Sequence, residues 1–345
     1  MKSNLLFAGI AVAAMGLTSC SSDEPVVNNT GNAISFRPSV GTRATETTNA
    51  NLNEIEVAAF LDSATYFPTL EFTKGSDNFF TSATTYNWPG DNSTLKFYSF
   101  APENPGGTIT MTPSVQTLTG FSPAQNIGSQ VDFITAVASG NRAANEASGV
   151  PLTFDHRLSQ IVIQAKTDND AYTYSVTGIR VGYPVSKGDF NFADNSWTLA
   201  SDKAIYEDTY STPITLGSNA VSIMGNGGAL MLIPQQLTPW NPQTDSLNTA
   251  QGAYISLKLQ INTKAGAQVY PFVSNSDCNW AAIPDDTKWE PGKRYVYTLD
   301  LTHGAGYVDP HDPHPGTPVL GGPIKFTVKV TDWVNSDQDL PMDTH

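Results

Sequence analysis

The chain has 345 residues, with 32 Asp and Glu against 18 Lys and Arg and a formal charge of -14. That excess repels phosphate backbones and anionic lipid, which argues against nucleic acid as a partner. Only 14% of residues are charged, whereas Gly (27) and Pro (23) are abundant alongside Thr, Ser and Asn, a balance that favours strands and turns and predicts an all-β protein.

The chain opens with Lys2 and an apolar run over residues 5–17, too short to cross a bilayer, followed by Leu17-Thr18-Ser19-Cys20. This is the pattern of a lipoprotein signal over residues 1–19, with Cys20 as the lipidated first residue of the mature chain. Acyl chains on Cys20 would tether the protein to a membrane surface without spanning it. The other reading is an ordinary secretory signal with an incidental cysteine. Ser21, in place of Asp, resembles lipoproteins sorted to an outer membrane, and Asp23-Glu24 resembles a surface-export signal. With Cys20 committed to lipid, Cys278 has no partner for a disulfide. No histidine is near it in sequence, so it reads as a buried thiol and not a nucleophile.

Residues 20–33 are polar and read as a tether. Ile34, Phe36 and Val40 then recur at period two, which predicts a strand over residues 34–40 with one apolar face. Pro38 has no amide to donate and places that strand at a sheet edge, at least locally. Residues 41–50 are small and polar and read as an exposed loop, in which Arg43 and Ala44 form a bond open to a trypsin-like protease. A plain surface arginine is the competing reading.

Short strands follow at residues 54–61, 66–73, 78–82, 94–101, 107–112 and 131–138, separated by Pro-, Gly- and Asn-rich turns. Such spacing predicts a β-sandwich over residues 34–149. A second sandwich is expected over residues 150–345, ending in a short acidic tail. Its first apolar stretch, residues 150–165, is too long for one flat strand, so a bulge or bend is expected at residues 156–159. Further strands are expected at residues 172–185, 188–192, 196–200, 229–233, 254–262, 268–273, 294–301 and 324–330. Only residues 239–251 offer room for a short helix.

His303, His311 and His314 cluster with Asp309 and Asp312, but the prolines among them favour an extended surface loop over a metal centre. His156 reads as a packed, hydrogen-bonded residue. Gly225-Asn226-Gly227-Gly228 precedes a strand and reads as a turn, not a phosphate cradle. No catalytic constellation, cofactor site or metal site emerges, which sets an extracellular hydrolase last among the candidate functions.

Several motifs occur in a recognisable order. They are Thr42-Arg43-Ala44, Leu95-Lys96-Phe97-Tyr98-Ser99-Phe100-Ala101-Pro102, Val131-Asp132-Phe133 and Phe154-Asp155-His156-Arg157-Leu158-Ser159. Leu232-Ile233-Pro234-Gln235, Trp289-Glu290-Pro291-Gly292-Lys293-Arg294-Tyr295-Val296-Tyr297 and Val328-Lys329-Val330-Thr331-Asp332-Trp333 complete the set. Together they resemble the fimbrillin family, lipoprotein pilin subunits of type V pili. The resemblance implies two tandem transthyretin-like β-sandwich domains, cleavage between Arg43 and Ala44 by a trypsin-like protease, departure of the strand bearing Ile34, Phe36 and Val40, and assembly by donor-strand exchange. It also implies other pilin subunits as partners, a lipid-anchored place at the outer membrane in a fimbrium, and a host or bacterial surface receptor. Two readings stand for the C-terminal strand. Either Phe326, Val328 and Val330 lie on a strand that is donated, or that strand is internal and the subunit is an acceptor at a tip or accessory position. A monomeric glycan- or host-binding lipoprotein is the alternative to a pilus subunit.

Overall fold

The structure, a computed structural model, describes residues 32–40, 51–225, 228–245, 251–272 and 279–333. Nearly every element is a strand, as the composition predicts. In chain order the first half holds β1 (Phe36–Val40), β2 (Glu54–Leu61), β3 (Ala64–Lys74), β4 (Phe80–Thr81), β5 (Leu95–Ala101), β6 (Thr108–Met111), β7 (Gln116–Phe121), β8 (Ile134–Gly140) and β9 (Val150–His156). The seven strands β1-β4-β3-β2-β5-β8-β9 close into a barrel in that order. Its core includes Phe36, Phe67, Phe72, Phe97 and Leu152. The continuous apolar run of β2 follows from burial on both faces, with Ile55, Val57 and Ala59 in the barrel core and Ala58 and Phe60 in a second cluster outside it.

The second half contributes β10 (Ser159–Lys166), β11 (Tyr172–Val185), β12 (Gly188–Asn191), β13 (Ser196–Leu199), β14 (Lys203–Thr215), β15 (Val221–Ser222) and β16 (Leu230–Leu232). Then come β17 (Tyr254–Thr263), β18 (Gln268–Tyr270), β19 (Asn279–Pro284), β20 (Lys293–Asp300), β21 (Tyr307–Val308) and β22 (Lys325–Asp332). One sheet runs β15-β10-β20-β22 with β16 also on β10, and another runs β14-β11-β17-β19-β21 with β18 on β17. Each turns an apolar face to a common core, β10 through Ile161 and Ile163, β20 through Tyr297 and Leu299, and β11 through Ile179 and Val181.

A further sheet, β13-β12-β7-β6, joins a hairpin from each half, with Phe190 opposite Leu118. Phe121, Phe133, Phe190 and Phe192 pack in the cluster beside it, together with Phe60 and Phe100 of the barrel wall. The two halves therefore share a core.

The division expected before Val150 moves. Val150–His156 pairs with β1 and β8 and completes the barrel. The chain crosses to the other sheets at Arg157 and Leu158, where the bend is expected. There the Arg157 amide donates to Phe133 O at 2.9 Å and Leu158 is fully buried. Alternation does not announce β14, because it is a sheet edge with mostly exposed residues and takes its place by pairing with β11. In the stretch offered to a helix, residues 239–245 form turns and a bridge from Pro239 to Ala253, and residues 246–250 lie outside the described residues. A short helix, α1 (Arg142–Asn145), stands instead in the polar connection before β9, capped by Asn141, whose side chain accepts from the Ala144 amide at 3.0 Å.

Candidate functional site: the first strand, its slot and the last strand

Period two puts Phe36 and Val40 on the inward face of β1 and Ile34 on the same side just before it, where they are 0%, 5% and 3% exposed. The Phe36 ring meets Phe72 at 4.8 Å and Phe97 at 5.1 Å, both edge to face. Just before β1, the Ile34 amide donates to Tyr86 O at 2.8 Å and the Trp88 amide donates to Asn32 O at 3.0 Å. The two edges of β1 are held unequally. One runs parallel to β9 over five residue pairs, from Phe36 opposite Val150 to Val40 opposite Phe154. The other meets β4 at the single pair Phe36 and Phe80. Pro38 is tolerated because, among the described residues, no strand pairs with that second edge beyond Phe36.

Gly149 makes the close approach possible. It sits at φ +69, and a Cβ there would lie 3.0 Å from the Phe79 ring and 3.4 Å from Ser35 O. Phe79 in turn lies under the Arg37 guanidinium, 4.5 Å away. Removing β1 would leave one edge of β9 unpaired and open an apolar slot lined by Phe72, Phe80, Phe97, Leu152 and Phe154. Arg43 and Ala44 follow Val40 closely in sequence but, like Cys20 and Cys278, lie outside the described residues.

The strand carrying Phe326, Val328 and Val330 is β22. It is paired along its whole length with β20, antiparallel, and stands at the sheet edge. Phe326 and Val328 are only partly buried against the core, and Val330 is 50% exposed. Compared with β1, one feature escapes a reading by motifs. Ile34-Ser35-Phe36-Arg37-Pro38-Ser39-Val40 and Ile324-Lys325-Phe326-Thr327-Val328-Lys329-Val330 place Ile, Phe and Val at the same spacing. The first face is enclosed throughout, whereas the second is buried at Ile324, partly buried at Phe326 and half in water at Val330. This match is visible in the sequence, but only the structure shows that the first copy fills a slot.

Beyond β22, Trp333 is fully buried and stacks on His156 at 4.4 Å and 22°. His156 is packed and hydrogen-bonded, its Nδ1 lying 2.9 Å from Asp132 Oδ1. Of the histidine-rich segment, His311 joins a network with Asp309, while His303 and His314 take no part in it among the described residues. Asp309 accepts from Arg180 Nη1 at 3.0 Å, from the His311 amide at 2.9 Å and from the Ser256 hydroxyl. Burial pushes its pKa up, but these bonds and the Arg180 charge outweigh it and hold the carboxyl below its ordinary range. Arg180 also pairs with Glu207 and lies 4.1 Å over Trp280, so the segment is pinned to the outer face of β11 and β17. Among the described residues no three His, Cys, Asp or Glu side chains are arranged to hold a metal ion.

An open cleft of about 470 Å³ is lined by Gln235, Gln236, Lys288, Trp289, Glu290 and Lys293, among others. Trp289, at 2% exposure, offers no ring face for stacking a sugar there.

A family model described as fimbrillin-like matches residues 42–333. Among solved structures, a fimbrial protein from Bacteroides vulgatus is similar at 17% identity and a TM-score of 0.61, over 87% of this chain and 99% of that one. A fimbrilin from Porphyromonas gingivalis is similar at 12% identity and a TM-score of 0.52, over 89% of this chain and 98% of that one. These likenesses are of fold. No curated protein matches the chain.

Proposed function

Because this chain belongs to the fimbrillin-like family, we propose that it is a pilus subunit, exported as a lipoprotein on Cys20, cut after Arg43 and assembled by strand exchange. In this reading the piece ending at Arg43 departs with β1, and the slot along β9 takes a strand from another subunit. Such a strand restores both the backbone pairing and the apolar burial that β1 supplied.

The carrying observation is the Ile-Phe-Val spacing shared by residues 34–40, where all three side chains are buried, and residues 324–330, where Ile324 is buried but Phe326 is partly and Val330 half exposed. Fully burying a side chain of this kind stabilises by about 1.5 to 3 kcal/mol, so Phe326 and Val330, partly wet on β22, would gain burial in the slot, whereas Ile324 is already buried and would gain none. This favours donation of β22 over an acceptor-only role. Of the two arginines before residue 51, Arg37 is inside a paired strand and is followed by Pro38, so Arg43 is the one a trypsin-like enzyme would take.

The test is limited trypsin digestion of the purified precursor. The expected result is a single stable body beginning at Ala44 that then forms ladders of linked chains, while Arg43→Ala stays whole and single. Cut chains that remain monomeric, and that fail to bind a peptide of residues 322–333, would defeat the reading in favour of a monomeric surface lipoprotein.

A further inference from the structure

β22 is an edge strand, and its hold is lopsided. Lys325, Thr327, Lys329 and Val330 face water, and β20 is its only ladder neighbour among the described residues. The next residue, Trp333, is 0% exposed and sits in the core shared by the two halves, with its amide donating to Gly292 O at 3.0 Å. Its ring lies on His156, the last residue of β9, and β9 is the strand that pairs with β1.

Among the described residues, no protein group hydrogen-bonds the buried His156 Nε2, Asp132 Oδ2 or Trp333 Nε1. Withdrawing the indole costs apolar burial but lets water reach its own Nε1 and the uncovered His156 ring, so solvation offsets part of the loss.

We propose that Trp333, stacked on His156, is the catch that keeps β22 on its own sheet, and that β9 links this catch to the slot of β1. Val40 pairs with Phe154, and His156 lies two residues further along the same strand. When β1 leaves, β9 loses its parallel neighbour over Val150 to Phe154, and the seat of Trp333 loosens with it. The link to assembly rests on the strand-exchange reading, whereas the catch stands on geometry alone. Trp333 is a positioning residue, acting on the β22 face without belonging to it.

Hydrogen exchange on the full chain, before and after trypsin, tests this. In the uncut protein, Trp333→Ala should raise exchange across residues 325–332 by roughly tenfold or more while β10 and β17 keep their protection, as expected for local opening. Trp333→Phe, which retains a stacked ring, should restore most of that protection. In cut wild-type chains that have lost β1 and are not yet linked, exchange should rise at residues 150–156 and 325–332 together, and fall again at both once ladders form. Unchanged exchange at 325–332 in Trp333→Ala, or a rise spread evenly over β10 and β17, would overturn the catch. Equal protection of 325–332 in uncut chains and in single cut chains that have lost β1 would overturn the link through β9. Should Trp333→Ala free β22 while cut chains stay single, the catch stands and strand exchange falls.

Discussion

Phe36 carries much of what seats the first strand, since its ring is enclosed by Phe72 and Phe97 and, among the described residues, it is the one residue of β1 paired with both β4 and β9. Phe36→Ala should lower the stability of the uncut chain by about 3 kcal/mol, the usual cost of emptying an aromatic site, read from the urea midpoint. Glu56 is a second residue with a measurable consequence. Burial first, then the charges of Glu103, Glu71 and Glu54, push its pKa up to about 7. With an unfolded value near 4.5, the folded state binds the extra proton between these limits. The contribution is therefore full below the unfolded pKa and is lost as pH rises through the folded one. Glu56→Gln should raise stability by about 1 to 2 kcal/mol at pH 8 and change it little at pH 4, flattening the pH profile of the melting temperature. An unchanged profile would show that Glu56 is already solvated.

For the strands, the contrast between β1 and β22 yields a separation of stability from assembly. Val330 is 50% exposed on β22, whereas its counterpart Val40 is 5% exposed in the slot. Val330→Lys should therefore shift the stability of the uncut chain by no more than about 0.5 kcal/mol, as surface changes do. It should nonetheless abolish linkage of cut chains, because a lysine ammonium would have to enter the barrel core. Thermal melting of the precursor and sizing after digestion read the two effects independently. Linkage at the wild-type level would mean that β22 is not the donated strand.

At the scale of the whole molecule, the shared sheet β13-β12-β7-β6 and the cluster around Phe133 and Phe190 tie the barrel to the second pair of sheets. The halves should therefore unfold together, with one calorimetric transition whose measured and van't Hoff enthalpies agree. Two resolved transitions would show that the shared core is too weak to couple them.

The sequence by itself determined the strand-rich class, the inward face of the first strand and the identity of most strands, because period two is a local property that burial on one face imposes directly. It also carried the ordered motifs of the family, and the Ile-Phe-Val spacing of residues 34–40 and 324–330. Only the tertiary structure decided that β9 belongs with the first half, that two hairpins distant in sequence share one sheet, and that Trp333 rests on His156. Those pairings join residues far apart along the chain. Alternation says which face of a strand is apolar but not which strand lies beside it, and that choice is made by the packing of whole faces.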